Sequence, residues 1–331
     1  MRVRQLRVVG TAGCLAAALL TGGCAITNSN ASTPPPATPA AAPMPGAKPV
    51  GQVYGAGPDA EGIAVDSSGD QVAVAVSNPD RLIVLDSHSG RVIRSVRLPS
   101  QATRVAYGAD GAFYTAAGKN LVRVALDGTA KRYTLPADGL DTVVPPGRAP
   151  LVSLPGQGKV VAAGPGAMPD KAMSGGERST ALALAGDRLG VIDPVASTLT
   201  VFDQETGGRV RKVRAGDGAT EIVGDRRGRF VVVDTRDQEL LVYTSDPVSL
   251  RQRFPVAGAP YGAAYDPVRD RLWVTLTARN AVVGFDLSGG SPHEVARFPT
   301  VRQPDTVAVD PGTGRLFVAG RIDGVVQTIT P

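Results

Sequence analysis

From Val50 onward, short apolar runs alternate with clusters of Gly, Asp, Pro and Ser. Gln71–Val76, Arg229–Asp234, Arg271–Leu276 and Arg315–Gly320 are rich in Val, Ile, Leu and Phe at a period of two, which predicts strands. A further run follows each: Leu82–Asp86, Leu240–Tyr243, Ala281–Asp286 and Val325–Ile329. More polar strands close several units, at Arg91–Leu98, Lys131–Leu135, Arg209–Ala215, Arg251–Val256 and Glu294–Phe298. The openings repeat as well. Glu61-Gly-Ile-Ala-Val-Asp66, Tyr261-Gly-Ala-Ala-Tyr-Asp266 and Asp305-Thr-Val-Ala-Val-Asp310 each read as a first strand ending in Asp.

Turn chemistry keeps the same register. Asp86 and Gly90, Asp203 and Gly207, and Asp310 and Gly314 bracket hairpin turns. Asp can accept a bond from its own backbone two residues on, and Gly tolerates positive φ. The aspartates closing first strands (Asp66, Asp225, Asp266, Asp310) are read as turn formers for the same reason. First-strand ends recur about every 41 residues, the length of a four-stranded propeller blade. The third unit is eroded by prolines and glycines, and the last has only three strands before Pro331. Val50–Ala56 supplies the missing strand. The expectation is an all-β, seven-bladed propeller of four-stranded blades, closed by pairing of its N- and C-terminal strands, which removes an open sheet edge.

Composition agrees: Gly and Pro number 40 and 27, aromatics are 5% and charged residues 20%. Both Cys lie in the first 24 residues, so a disulfide framework or a zinc-finger array is excluded. Met1–Arg7 carries three Arg and no acid, Val8–Leu20 is apolar, and Thr21-Gly22-Gly23 precedes Cys24. That is an export signal. Its removal lowers the net charge from +5 to +2, so the basic precursor does not imply a nucleic-acid partner. Ala25–Pro49 contains seven prolines and no aromatic residue. It predicts an extended, disordered tether. The expected organisation is a signal over 1–23, Cys24 and its tether over 24–49, and the propeller over 50–331.

Leu20-Thr21-Gly22-Gly23-Cys24 resembles a bacterial lipobox, with Thr21 in place of the usual Leu. The resemblance implies a diacylglycerol on the Cys24 sulfur, fatty acylation such as palmitate, and attachment to the outer face of the cell membrane. Ala73–Val92 (AVAVSNPDRLIVLDSHSGRV) and Val191–Val210 (VIDPVASTLTVFDQETGGRV) resemble the YVTN-type repeat of bacterial and archaeal surface propellers. The YVTN tetrapeptide is absent, with Val76-Ser-Asn78 and Leu276-Thr in its place. With the anchor, the whole is similar to actinobacterial propeller lipoproteins. A propeller fold alone assigns no activity.

First strands line a propeller channel. Their alignment places Glu61, Thr103, Asp141, Thr220, Tyr261 and Asp305 near one mouth, with Arg104 and Glu221 adjacent. These residues are candidates for binding an envelope protein or polymer. Two readings of the acids stay open. They line a water-filled polar entrance, or Glu61, Asp141, Glu221 and Asp305 hold Ca²⁺, which takes six to eight oxygens, in a hydrolase or lactonase. A structural scaffold for envelope assembly is the third class. His88 and His293 fall in polar loops, and neither a G-x-S-x-G elbow nor a P-loop is present. Arg and Lys recur on the outer strands, which suits attraction to anionic envelope polymers or protection of sheet edges. Gly164–Arg178 interrupts the repeat as a long loop, with Met168 and Met173 as contacts for a partner. Trp273, mid-strand, is assigned to packing between blades.

Overall fold

The computed structural model describes residues 35–167 and 172–331. The signal, Cys24, the first ten tether residues and Met168 lie outside these. Seven antiparallel four-stranded sheets form the ring. The first six span residues 63–97, 106–134, 142–174, 182–214, 219–255 and 260–299. Blade 7 comprises Pro304–Val309, Leu316–Gly320 and Val325–Ile329, and Gln52–Gly55 is its fourth strand. Gln52 pairs with Thr328 and Gly55 with Val325, so the two chain ends close the ring as expected.

The core is divided into wedges. Seven apolar clusters each fill the interface between two neighbouring blades. Middle strands are therefore buried on both faces. Val72 to Val76 are all buried, and a strand packed on both sides reads as a continuous apolar run. Outer strands alternate or stay polar, as in Arg209–Arg214, where one residue is half-buried and five are exposed. Trp273 is 1% exposed and packs with Val307, Val309 and Val318 of blade 7, the interblade role assigned to it.

The turns follow their sequence logic. Gly90, Gly207 and Gly314 each donate their N–H to the carbonyl of the Asp four residues earlier, at 2.8–2.9 Å and with positive φ. The Asp66, Asp225, Asp266 and Asp310 carboxylates accept backbone N–H groups of their own turns.

Blade 3 departs from expectation. Its first strand is only Thr142–Val143, because Pro145 and Pro146 stop it. Its fourth strand, Ala172–Ser174, comes from within the segment read as a loop. Met173 is 7% exposed and packs among Val160, Leu182, Val191 and Phe202 between blades 3 and 4. It fills a core, so it is not an exposed loop contact.

The described part of the tether also differs from a free chain. Residues 35–49 form no helix or strand, as their prolines require. They nevertheless lie against blades 5, 6 and 7 through hydrogen bonds accepted by the Pro35 and Pro43 carbonyls and donated by the Ala40 and Ala42 N–H groups.

Candidate binding site at the channel mouth

Each first strand begins at one end of the channel, so the residues preceding and opening it form rings around the axis. The uppermost layer contains Glu61, Thr103, Leu140, Thr180, Thr220 and Tyr261, around a chamber of about 200 Å³. Pro36 and Ala37 of the tether line the same chamber from above. One layer down, Gly62, Arg104, Asp141, Glu221, Gly262 and Thr306 surround a smaller cavity of about 140 Å³. Arg104 and Glu221 touch both cavities. Glycine at position 62 permits the close approach of blades 1 and 2. A β-carbon there would stand 2.9 Å from the Arg104 backbone.

The sequence alignment therefore merged two layers. Asp141 belongs with Arg104 and Glu221, and Leu140 occupies the mouth position assigned to it. The match of Asp141-Thr-Val to Asp305-Thr-Val is one residue out of register, because Asp141 stands with Thr306, the residue after Asp305, around the lower cavity. A one-residue shift in a strand exchanges the faces of its side chains.

Arg104 of blade 2 forms an ion pair with Glu221 of blade 5 across the channel. The Glu221 carboxylate also accepts the Ile222 N–H at 3.0 Å. Asp141 accepts from the Thr142 and Leu182 N–H groups, both at 2.8 Å, and so ties blade 3 to blade 4. Burial lifts the Glu221 and Asp141 carboxyls above the usual range, and Arg104 only partly opposes it. Burial pulls the Arg104 guanidinium down, but Glu221 and Asp141 outweigh it and hold it firmly charged.

Glu61 and Asp305 form a second group around Arg321. The guanidinium lies 3.7 Å from each. Asp305 is fully buried and accepts the Gln303 amide at 2.7 Å. Burial raises both carboxyls against the pull of Arg321. Burial pushes the Tyr261 phenol up to about 12. Thr220 shares a hydrogen bond of 2.7 Å with Thr235.

The four acids proposed as a Ca²⁺ cradle thus face guanidinium and amide groups instead of converging. Among the described residues, the group of three acids whose oxygens come within 4.8 Å of one another is Asp234, Asp237 and Glu239, at the blade 5 turn that also carries Arg236. Arg253 pairs with two of its members, Asp237 and Glu239. His88 and His293 are exposed on outer hairpins.

Two features escaped the sequence. The opposite channel mouth is wider, about 570 Å³, and is lined by Tyr107, Val143, Leu184, Val223 and Tyr265. A larger groove of about 660 Å³ runs between the hairpins of blades 2, 3 and 4, past Tyr114, Pro145, Arg148, Pro150 and Gln204. Its polar atoms meet each other: Tyr114 donates to Asp110 at 2.7 Å and Arg148 to the Gln204 carbonyl at 2.8 Å.

No family model and no curated protein sequence matches the chain. Solved structures do. A hydrazine synthase chain from Kuenenia stuttgartiensis superposes with a TM-score of 0.71 at 16% identity, over 83% of this chain and 96% of that one. Virginiamycin B lyase from Staphylococcus aureus gives 0.71 at 14%, over 85% and 98%. A chain of the mitotic checkpoint complex gives 0.74 at 12%, over 89% and 98%. At such identities, and with neighbours so different in role, the likeness establishes a seven-bladed β-propeller and no activity.

Proposed function

We propose that this chain is a lipid-anchored, extracytoplasmic propeller of YVTN type that binds a protein or polymer of the cell envelope through its channel-mouth face. The observation that carries the binding reading is the state of the mouth's ionisable groups. Arg104 pairs with Glu221, Asp141 accepts two N–H groups, and Glu61 and Asp305 face Arg321 by charge, with Asp305 Oδ2 buried and without a hydrogen bond. Among the described residues of the rim no nucleophile is paired to a base, the arrangement that hydrolysis through a covalent intermediate uses. The lipobox at Cys24 supports the anchor. With so few residues between Cys24 and Pro35, the chain can span at most about 40 Å, so the mouth face works close to the membrane.

Fractionation of the full chain beside Cys24→Ser tests the anchor. The wild type is expected in the membrane and the variant in the soluble fraction. Thermal melts in EDTA and in about 1 mM Ca²⁺ test the rival enzyme reading. A Ca²⁺ shift abolished by Asp141→Ala/Asp305→Ala would replace binding with a metal-dependent hydrolase or lactonase. For the binding face, Glu61→Ala/Tyr261→Ala should lose a cross-linked envelope component that the wild type retains, at an unchanged melting temperature. Retention by the variant would overturn the assignment of that face and leave a structural scaffold.

A further inference from the structure

Residues 35–43 cross the mouth face from blade 5 to blade 7. Arg236 donates to the Pro35 carbonyl. The Ala40 N–H donates to Thr277 Oγ1 at 3.1 Å. Gln303 holds the strap from both sides: its Nε2 donates to the Ala40 carbonyl at 3.0 Å, and its Oε1 accepts the Ala42 N–H at 2.8 Å. Asn280 Nδ2 donates to the Pro43 carbonyl at 2.9 Å. Every one of these contacts reads main chain. Ala42 is the strap residue that is buried, 4% exposed, and Ala37 and Ala40 are half-buried.

The receiving side chains are buried beneath the strap and held by one another. Thr277, Asn280 and Gln303 are 0%, 4% and 6% exposed. Asn280 Oδ1 accepts the Gln303 N–H at 3.1 Å, and Gln303 Nε2 also reaches Asp305 Oδ1, which fixes the amide's orientation. Buried amides are costly when unpaired. Here, part of their capacity is spent on nothing but a passing peptide backbone. Ring closure does not need that backbone, because pairing with the last strand begins only at Gln52.

We infer that the rim formed by Thr277, Asn280 and Gln303 is a binding site for an extended peptide rich in proline and small residues, and that residues 35–43 occupy it in cis. The inference deepens the reading of the mouth face as the binding surface and rests on it. An amide that donates to one residue's carbonyl and accepts the N–H two residues later selects extended chain. Proline-rich segments arrive already extended, so little entropy is lost on docking. A partner's segment of that composition would exchange with the strap and uncover the chamber beneath Pro36 and Ala37. The joining segment to Gln52 is short, so the strap competes at an effective concentration in the millimolar range or above.

The test uses the full chain and a fluorescent peptide with the sequence of residues 35–46. Ala40→Pro/Ala42→Pro removes both strap N–H donors and releases it. Fluorescence anisotropy should then show the peptide binding at least about tenfold more tightly than to wild type, whose strap blocks the site. Adding Gln303→Ala to the released chain should abolish that binding. Should Gln303→Ala disturb blade 7 by circular dichroism, Thr277→Val tests the Ala40 contact alone. No gain on release in a folded chain overturns the inference, as does binding indifferent to Gln303 and Thr277. If the peptide fails while Glu61 and Tyr261 still govern envelope capture, the peptide class is wrong and the binding face stands. If both fail, both readings fall.

Discussion

Arg104 and Glu221 are 117 residues apart in sequence and on nearly opposite blades, yet their side chains meet in the channel. The pair separates the chamber under the strap from the cavity below it. It also links two blades that share no apolar interface. In a ring whose core is divided among neighbours, a bond across the axis couples parts that packing leaves independent.

Arg104→Met tests that bolt. The substitution leaves the Glu221 and Asp141 carboxylates buried without their cation. Losing one partner of a buried pair costs about 3 kcal/mol, the low end of the usual range, because a quarter of the Arg104 side chain is exposed. The midpoint of thermal unfolding at pH 7.5 should fall by about 5 °C or more. At pH 5 part of that loss should return, since both carboxyls can then take up protons. An equal loss at the two pH values would show that the guanidinium acts by packing alone.

The wild type should itself favour mildly acidic solution. Glu61, Asp141, Glu221 and Asp305 have folded-state pKa values raised by burial. Their contribution to stability is fully present below the ordinary values of 3.8 for Asp and 4.5 for Glu, and is lost as the pH rises through the raised values. The exposed turn acids Asp86, Asp203 and Asp286 act oppositely. Local hydrogen bonds lower their pKa, so their contribution is lost as the pH falls below the ordinary range. Melts should therefore give a higher midpoint near pH 5 than near pH 7.5. A steady rise from pH 5 to pH 7.5 would contradict the burial argument.

The blade count was legible because turn residues repeat with the blade: Asp-to-Gly hairpins in blades 1, 4 and 7 and acids after most first strands keep a spacing that the eroded third unit does not break. Ring closure was legible because three strands at the C-terminus left an unpaired edge that Val50–Ala56 could fill. The layer of Asp141 was not. The Asp-Thr-Val shared by residues 141–143 and 305–307 aligns Asp141 with Asp305, whereas in the ring Asp141 stands with Thr306 around the lower cavity. The strap was not legible either. Prolines and alanines report that a segment cannot build a core of its own. They do not report that Gln303 and Asn280, some 240 to 260 residues away, offer amides to its backbone.

Gln327 carries the second closure of the ring. Its buried amide donates to the Val50 carbonyl at 2.7 Å and the Pro299 carbonyl at 3.1 Å, and accepts the Val301 N–H at 2.9 Å. Gln327→Leu keeps the volume and strands the Val50 carbonyl and the Val301 N–H, while the Pro299 carbonyl keeps the Val50 N–H at 3.4 Å. Leaving such groups unpaired should cost about 2–3 kcal/mol in urea unfolding. Limited proteolysis should then cut first near Gln52–Gly55, the strand whose entry Gln327 fixes. A variant as stable as wild type would place ring closure entirely in the strand pairing.

Met173 separates the sequence reading of blade 3 from its structure. As an exposed loop contact, Met173→Ala would leave stability untouched and weaken partner capture. As a core side chain between blades 3 and 4, it loses the apolar surface that meets Val160, Leu182 and Phe202. Methionine truncation in a packed core costs about 2–5 kcal/mol. Met173 lies on a three-residue edge strand, which can relax into the space, so the lower half of that range is expected. Met173→Leu preserves the volume and should cost less than about 1.5 kcal/mol. Urea unfolding of the two variants beside wild type decides between the roles. An unchanged midpoint for Met173→Ala would return the residue to the surface, and with it the segment Gly164–Arg178 to the role of a partner-binding loop.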